Sequence, residues 1–173
     1  MTKVGIIGTG MLGEAVGLHL LNSNYNVTVF NRTKEKTQKL VQAGAILANS
    51  PKEVAEKSEL VITVVRDGEA VNQVAFGENG IISGKHDGLV VADMSTINPN
   101  SAKDISEKFT SSEVEFLEIP VMGGPNVAID GKLVLMASGE KVIFEKFKKV
   151  FDEIAEQSFY LGNTCYGRSK CCN

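Results

Sequence analysis

Val4-Gly5-Ile6-Ile7-Gly8-Thr9-Gly10-Met11-Leu12-Gly13 is the stretch that decides the fold of this chain. Four residues of strand character run into Gly8, and an amphipathic segment from Met11 to Asn22 follows them. A G-x-G-x-x-G pattern becomes informative in this setting, after a strand and at the opening of a helix. Each glycine then has a physical task. Gly8 permits the tight turn, Gly10 lets backbone approach a pyrophosphate, and Gly13 lets helix and strand pack closely. The helix start adds free N–H groups and a partial positive charge where phosphates would lie. Gly8, Thr9, Gly10, Met11, Leu12 and Gly13 are therefore the first candidate cofactor-binding residues.

Outward from that turn, strand-like and helical runs alternate to the end of the apolar sequence. Strands are expected at residues 27–30, 45–47, 60–65, 89–92, 114–119 and 133–136. Helices are expected at 34–43, from Ser50 onward, and at 69–76, 100–109 and 141–154. Ser50 reads as an N-cap, Pro51 as the first helical residue and Glu53 as the residue closing a capping box. The strands are apolar throughout, as burial on both faces requires. This alternation predicts an α/β fold: a doubly wound, mostly parallel sheet of Rossmann type with helices on both faces. One domain accounts for residues 1–162. Residues 163–173 are polar, cysteine-rich and without periodicity, and form a short irregular tail.

Composition narrows the function classes. The 173 residues are 43% apolar and 23% charged, as in an ordinary globular domain. A formal net charge of -3 gives no basic field for a phosphate backbone, so nucleic acid is not an expected partner. No stretch approaches the ~20 apolar residues that a bilayer crossing needs, so no membrane association is expected. Thr2 and Lys3 lead directly into the first strand with no small-residue cleavage site, which predicts an unprocessed cytoplasmic protein. The three cysteines, Cys165, Cys171 and Cys172, all lie in the tail, which excludes a disulfide framework for the core. Neither histidine is near them in sequence, and no metal site is expected. His19 belongs to an apolar helical face and His86 to a turn.

An NAD site carries Asp or Glu about 20 residues after the glycine turn, where it accepts hydrogen bonds from the adenosine ribose. This chain has Asn31-Arg32-Thr33 at that place. A carboxylate would repel a 2′-phosphate, whereas Arg32 offers a planar, permanently charged fork that pairs with phosphate and stacks on adenine. NADP (NADPH) is therefore the expected cofactor, with Asn31, Arg32 and Thr33 as its ligands. Thr33 can also N-cap the next helix, which is compatible with phosphate binding.

Four motifs in order resemble the β-hydroxyacid dehydrogenase family, which includes 3-hydroxyisobutyrate dehydrogenases and glyoxylate/succinic semialdehyde reductases and carries a 6-phosphogluconate dehydrogenase-like NADP-binding domain. They are the turn from Val4 to Gly13, Asp93-Met94-Ser95-Thr96 followed by Pro99, Ile119-Pro120-Val121-Met122-Gly123-Gly124, and Gly131-Lys132-Leu133 running to Ala137-Ser138-Gly139. The resemblance covers residues 3–162. It implies that Val65, Arg66 and Asp67 lie along the cofactor's adenosine and ribose, although the family often has Leu-Pro in place of Val65-Arg66. Thr96 matches a residue near the nicotinamide. Met122, Gly123 and Gly124 match the substrate-binding loop, with Met122 where a Ser commonly stands. Backbone N–H groups of Gly123 and Gly124 can still form an anion nest, but a thioether cannot replace the hydroxyl. The expected substrate is thus a small hydroxyacid or semialdehyde, shifted or bulkier than the usual ones.

Members of the family continue into a helical domain whose first long helix carries a catalytic Lys and, one turn on, an Asn. The Lys is general acid toward the carbonyl during reduction. Here Lys170 and Asn173 stand about one position off that spacing, which on a helix rotates a side chain by about 100°. Lys170 is the candidate catalytic residue on these terms. Tyr166 and Lys170 also fit a Tyr-x-x-x-Lys pair, but the short-chain dehydrogenases that use it have a different glycine turn and a Ser where this chain has Asp152, Glu153 and Ile154. The expected function is an NADP-dependent oxidoreductase domain, a homo-oligomer, transferring a hydride between nicotinamide and a small molecule and incomplete by itself. The alternative is a dinucleotide-binding module without chemistry of its own, a sensor or a fragment.

Overall fold

The computed structural model describes residues 1–162, and its first element grows from the glycine stretch. β1 (Lys3–Ile7) sends Val4 and Ile6 to one face and Ile7 to the other, all of them buried. The chain turns at Gly8 into α1 (Met11–Asn22), then runs through β2 (Asn26–Phe30), α2 (Gln38–Gln42), β3 (Ile46–Leu47), α3 (Pro51–Glu56), β4 (Leu60–Thr63), α4 (Gly68–Phe76), β5 (Val90–Asp93), α5 (Pro99–Ser111) and β6 (Glu115–Glu118). These six strands form one parallel sheet in the order β3-β2-β1-β4-β5-β6. The order reverses between β1 and β4, which opens a crevice at the strand C-termini.

Period-two alternation divides the core between the two faces of the sheet. Val4, Ile6, Val27, Val29, Leu60, Ile62, Val90, Ala92 and Leu117 face one way, with Ala15, Val16 and Leu20 of α1. Ile7, Val61, Val91 and Phe116 face the other, against Val54, Val71, Ile105 and Phe109 of α3, α4 and α5. Phe109 is fully buried there and stacks on Phe116 at 4.7 Å between ring centroids. Both faces are covered, so the strands carry almost no polar side chains except at their ends.

Several expected elements differ in extent. The segment expected as one helix at 34–43 begins as a tight three-residue-per-turn helix, Lys34–Thr37, before α2. The fourth strand ends at Thr63 rather than residue 65, because the N–H of Val65 leaves the ladder to donate to Ser95 Oγ. Ser50 caps α3 as expected, accepting from the Glu53 N–H at 3.2 Å. Glu53 does not close the box on Ser50. Its carboxylate reaches one residue further back, to the Asn49 N–H at 2.8 Å, and across to Lys57, and these bonds hold its pKa down at about 2.

Beyond Pro120 a second, smaller sheet was not expected from the sequence. β7 (Val121–Met122) pairs antiparallel with β8 (Leu133–Ala137), and β9 (Ala155–Tyr160) pairs parallel with β8 on its other side. Between them lie the short α6 (Pro125–Ala128) and the expected α7 (Lys141–Ile154). Residues 155–160 escaped prediction because a register shift beside Leu133 and Val134 breaks the alternation, leaving no apolar period to read. A bridge between Glu118 and Ser138, two backbone bonds of 2.9 Å each, joins the two sheets. Phe144 and Phe151 of α7 and Tyr160 of β9 stack beneath the small sheet.

His19 ties these parts together. Its ring contacts the Ile129 carbonyl at 3.0 Å and Glu153 at 3.3 Å, and Ser23 donates to the same carboxylate at 2.6 Å. His86 sits in its expected turn, with Nε2 against the Ser58 and Ala55 carbonyls. Among the described residues, no helix is long and apolar enough to cross a membrane.

Candidate functional site

A cleft of about 540 Å³ opens at the C-terminal ends of β1, β2 and β4. Its floor is the glycine turn. A Cβ on Gly8, whose φ is +98°, would stand 2.1 Å from the Val64 carbonyl oxygen, and one on Gly13 would stand 2.0 Å from the Gly8 carbonyl oxygen. Both positions therefore exclude a side chain, and α1 starts in direct contact with the turn. Gly10 is different. A Cβ there would meet nothing within 4 Å, so the space over the first turn of α1 is open. Gly10 N-caps α1 without a side chain, and the helix ladder begins only with the Glu14 N–H donating to the Gly10 carbonyl. The preceding N–H groups are the unsatisfied donors of a helix start, aimed at open space and able to take an anionic diphosphate.

The cleft wall beyond the turn comes from β2 and the residues after it. Phe30, Asn31, Arg32 and Thr33 line it, as do Val64, Val65 and Arg66 after β4 and Ala70, Gln73 and Val74 on one face of α4. Arg32, Lys36 and Arg66 bring three cations to it, and among the described residues no carboxylate lines it. Lys36 was missed by sequence reasoning. The tight helix after Thr33 puts it in the wall, and its place three residues on in a basic run was the available signal. Ala70, Gln73 and Val74 were missed as well, although the i, i+3, i+4 spacing marks one helical face.

Other expected residues stand beside the cleft. Asn31 acts as a brace as well as a lining residue: Oδ1 accepts from the Thr9 N–H at 3.1 Å and Nδ2 donates to the Thr33 carbonyl at 2.9 Å, tying the phosphate turn to the β2 loop. Thr9 itself is buried and does not line the cleft. Asp67 N-caps α4 by accepting from the Ala70 N–H at 2.8 Å and pairs with Arg66 at 2.7 Å. Those two interactions, the backbone bond first, hold its carboxyl below the usual carboxylate range. Thr96 is exposed just past β5 and does not line the cleft, and Asn98 caps the helix that follows.

The segment after Pro120 reaches the cleft margin through Pro125. Met122 is 57% exposed at the edge of the small sheet. Gly123 has φ +123° and leaves only 2.8 Å between a Cβ and Val127, so the turn depends on glycine. Gly124 begins α6, whose Ala128 is buried in the same core as α1. Of this segment Pro125 lines the cleft, and Met122, Gly123 and Gly124 do not. Lys170 and the tail lie outside the described residues.

Known proteins share both sequence and shape. Glyoxylate/succinic semialdehyde reductase 1 of Arabidopsis thaliana is 36% identical over 165 residues, covering 95% of this chain and 57% of that protein. The structure of 3-hydroxyisobutyrate dehydrogenase from Salmonella typhimurium superposes with a TM-score of 0.91 at 26% identity, over 99% of this chain and 60% of that one. The structure of Psf3 in complex with NADP+ and 2-OPP gives 0.92 at 26% identity, over 97% of this chain and 60% of that one. The chain thus spans less than two thirds of these relatives. With residues 3–162 also matching the model of the NAD binding domain of 6-phosphogluconate dehydrogenase, this chain belongs to that family of dinucleotide-binding domains.

Proposed function

We propose that the cleft binds NADP, and that residues 1–162 are the cofactor-binding domain of an oxidoreductase acting on a small hydroxyacid or semialdehyde. The observation that carries this reading is the charge of the wall: Arg32 and Lys36 line it, together with Arg66, which is paired with the Asp67 carboxylate beside the cleft. A 2′-phosphate is attracted by such a wall, and the ribose diol of NAD gains nothing from it. The open position over Gly10 and the start of α1 fit the diphosphate. When bound, the cofactor supplies or accepts a hydride.

In this reading Gly8, Thr9, Gly10, Met11, Leu12 and Gly13 form the phosphate turn, with the Thr9 N–H bonded to Asn31. Asn31, Arg32 and Thr33 hold the phosphorylated ribose, Val65, Arg66 and Asp67 edge the adenosine, and Thr96 stands at the nicotinamide end. Gly123 and Gly124 offer backbone donors to a substrate carboxylate, and Met122 presents apolar surface where a hydroxyl is usual. Small-molecule reductase chemistry is supported by the name of the Arabidopsis relative. A soluble cytoplasmic homo-oligomer is the setting we propose for it. The rival, a binding module without chemistry, draws its support from Met122.

Reduction also needs a proton at the carbonyl as the hydride arrives, and a positioned general acid contributes about 10²–10⁴-fold. No described cleft residue is placed for that at the substrate end, and the proposed donor Lys170 belongs to the tail. The test is to titrate the chain with NADPH and NADH by nicotinamide fluorescence, then to follow NADPH absorbance with small semialdehydes and keto acids. Tighter binding of NADPH is expected, with little turnover, because Lys170 stands about one position off the spacing that the resemblance implies. Failure to bind either cofactor would overturn the reading, and steady turnover that disappears in Lys170→Ala would overturn that expectation and make Lys170 a working acid.

A further inference from the structure

We infer that Asp93 is a positioning residue that locks together the two loops leaving β4 and β5, and through them sets Thr96 at the nicotinamide end of the cleft. The inference rests on the cofactor reading above and adds a residue that does not line the cleft. Thr63 and Asp93 are the last residues of adjacent parallel strands and lie opposite each other in register. Both are fully buried. The pairs before them, Ile62 with Ala92 and Val61 with Val91, are apolar, and their side chains add only packing to the backbone ladder. A buried carboxylate is costly unless hydrogen bonds satisfy it, so its presence at this level calls for a role that packing does not fill.

The hydrogen bonds define that role. Asp93 Oδ1 accepts from the Thr63 hydroxyl at 2.7 Å and from the Ser95 N–H at 3.1 Å. Ser95 in turn accepts the Val65 N–H at 3.0 Å through its own hydroxyl. The last ladder bonds at this edge are Met94 N–H to Thr63 and Val64 N–H to Ile7. Past them, the side-chain relay Thr63, Asp93, Ser95, Val65 continues the work of the ladder into both loops. One loop carries Val65 and Arg66 into the cleft wall, and the other carries Thr96. Thr96 is exposed between the buried Ser95 and Ile97, which packs on the second core, so Ser95, and through it Asp93, holds one side of Thr96.

The test compares NADPH with 2′,5′-ADP, which has the phosphorylated ribose and adenine but no nicotinamide. Thr63→Val keeps the shape of the side chain and removes the donor to Asp93, and Thr63→Ser restores the hydroxyl. Affinities for both ligands and the melting temperature are measured for each chain. Thr63→Val is expected to weaken 2′,5′-ADP by about two- to threefold, through the loop of Val65 and Arg66, and NADPH by about tenfold, through both loops. Thr63→Ser should recover most of the NADPH affinity. Where Thr63→Val does not fold, Ser95→Ala carries the same expectation from the other end of the relay. Equal weakening of both ligands, or unchanged NADPH affinity, would overturn the positioning role while leaving the cofactor reading intact. Failure of the unaltered chain to bind either ligand would overturn both.

Discussion

The glycine turn and the small sheet are built on opposite plans. The turn, its helix and the loop after β2 come from one unbroken run of residues, and the cleft floor follows from backbone geometry within that run and against Val64 beside it. The small sheet comes from a continuous segment too, but it is made by strand pairing rather than by a turn: Met122 pairs with Val134, Leu133 with Ala155, and Glu118 bridges to Ser138. A site made by local backbone can be written as a motif. A site made by pairing short strands across intervening helices cannot, and its residues depend on packing that α6, α7 and Tyr160 supply.

The difference can be broken most sharply at the turn itself. Gly13→Val places side-chain atoms where even a Cβ would lie 2.0 Å from the Gly8 carbonyl oxygen, so it should cost more than about 4 kcal/mol in chemical denaturation. Gly10→Ala, three residues earlier, puts its methyl group into open space. It should leave stability within about 0.5 kcal/mol and still weaken NADPH by about tenfold or more, because the methyl group occupies the diphosphate's place. Loss of stability at Gly10, or tolerance at Gly13, would mean that the turn does not divide its work between packing and ligand space.

In the small-sheet region the expected effects are smaller and fall on packing. Phe151 is fully buried and stacks with Phe144, so Phe151→Ala should cost about 3–4 kcal/mol by thermal or chemical unfolding. Met122→Ser, at a 57% exposed position, should change stability by less than about 0.5 kcal/mol. A large loss at Met122 would show that the exposed residue is structural and remove it as a candidate for substrate contact.

The same contrast explains what the sequence disclosed. The alternation of strands and helices, the start of α1 at Met11 and the cap at Ser50 were legible because each depends on neighbours within a few residues. Arg32 was legible because it replaces a residue type with a known electrostatic task at a known distance. Lys36 was not, since only the tight helix after Thr33 turns it into the wall. β9 was not, since a register shift breaks its alternation. Asn31 and Asp93 show a third case: their residue types were in plain view within motifs, but their roles as braces depend on bonds to Thr9 and Thr63, which are distant in sequence.

The account stands most directly on the cationic wall reading a 2′-phosphate. Parallel titrations of the unaltered chain and Arg32→Ala with NADPH and with NADH test it in one experiment. A charge-assisted hydrogen bond contributes about 1.5–3 kcal/mol, so the substitution should weaken NADPH by about ten- to a hundredfold. NADH, which lacks the phosphate, should lose less than about threefold. Equal losses for the two cofactors, or tighter NADH binding by the unaltered chain, would contradict the account.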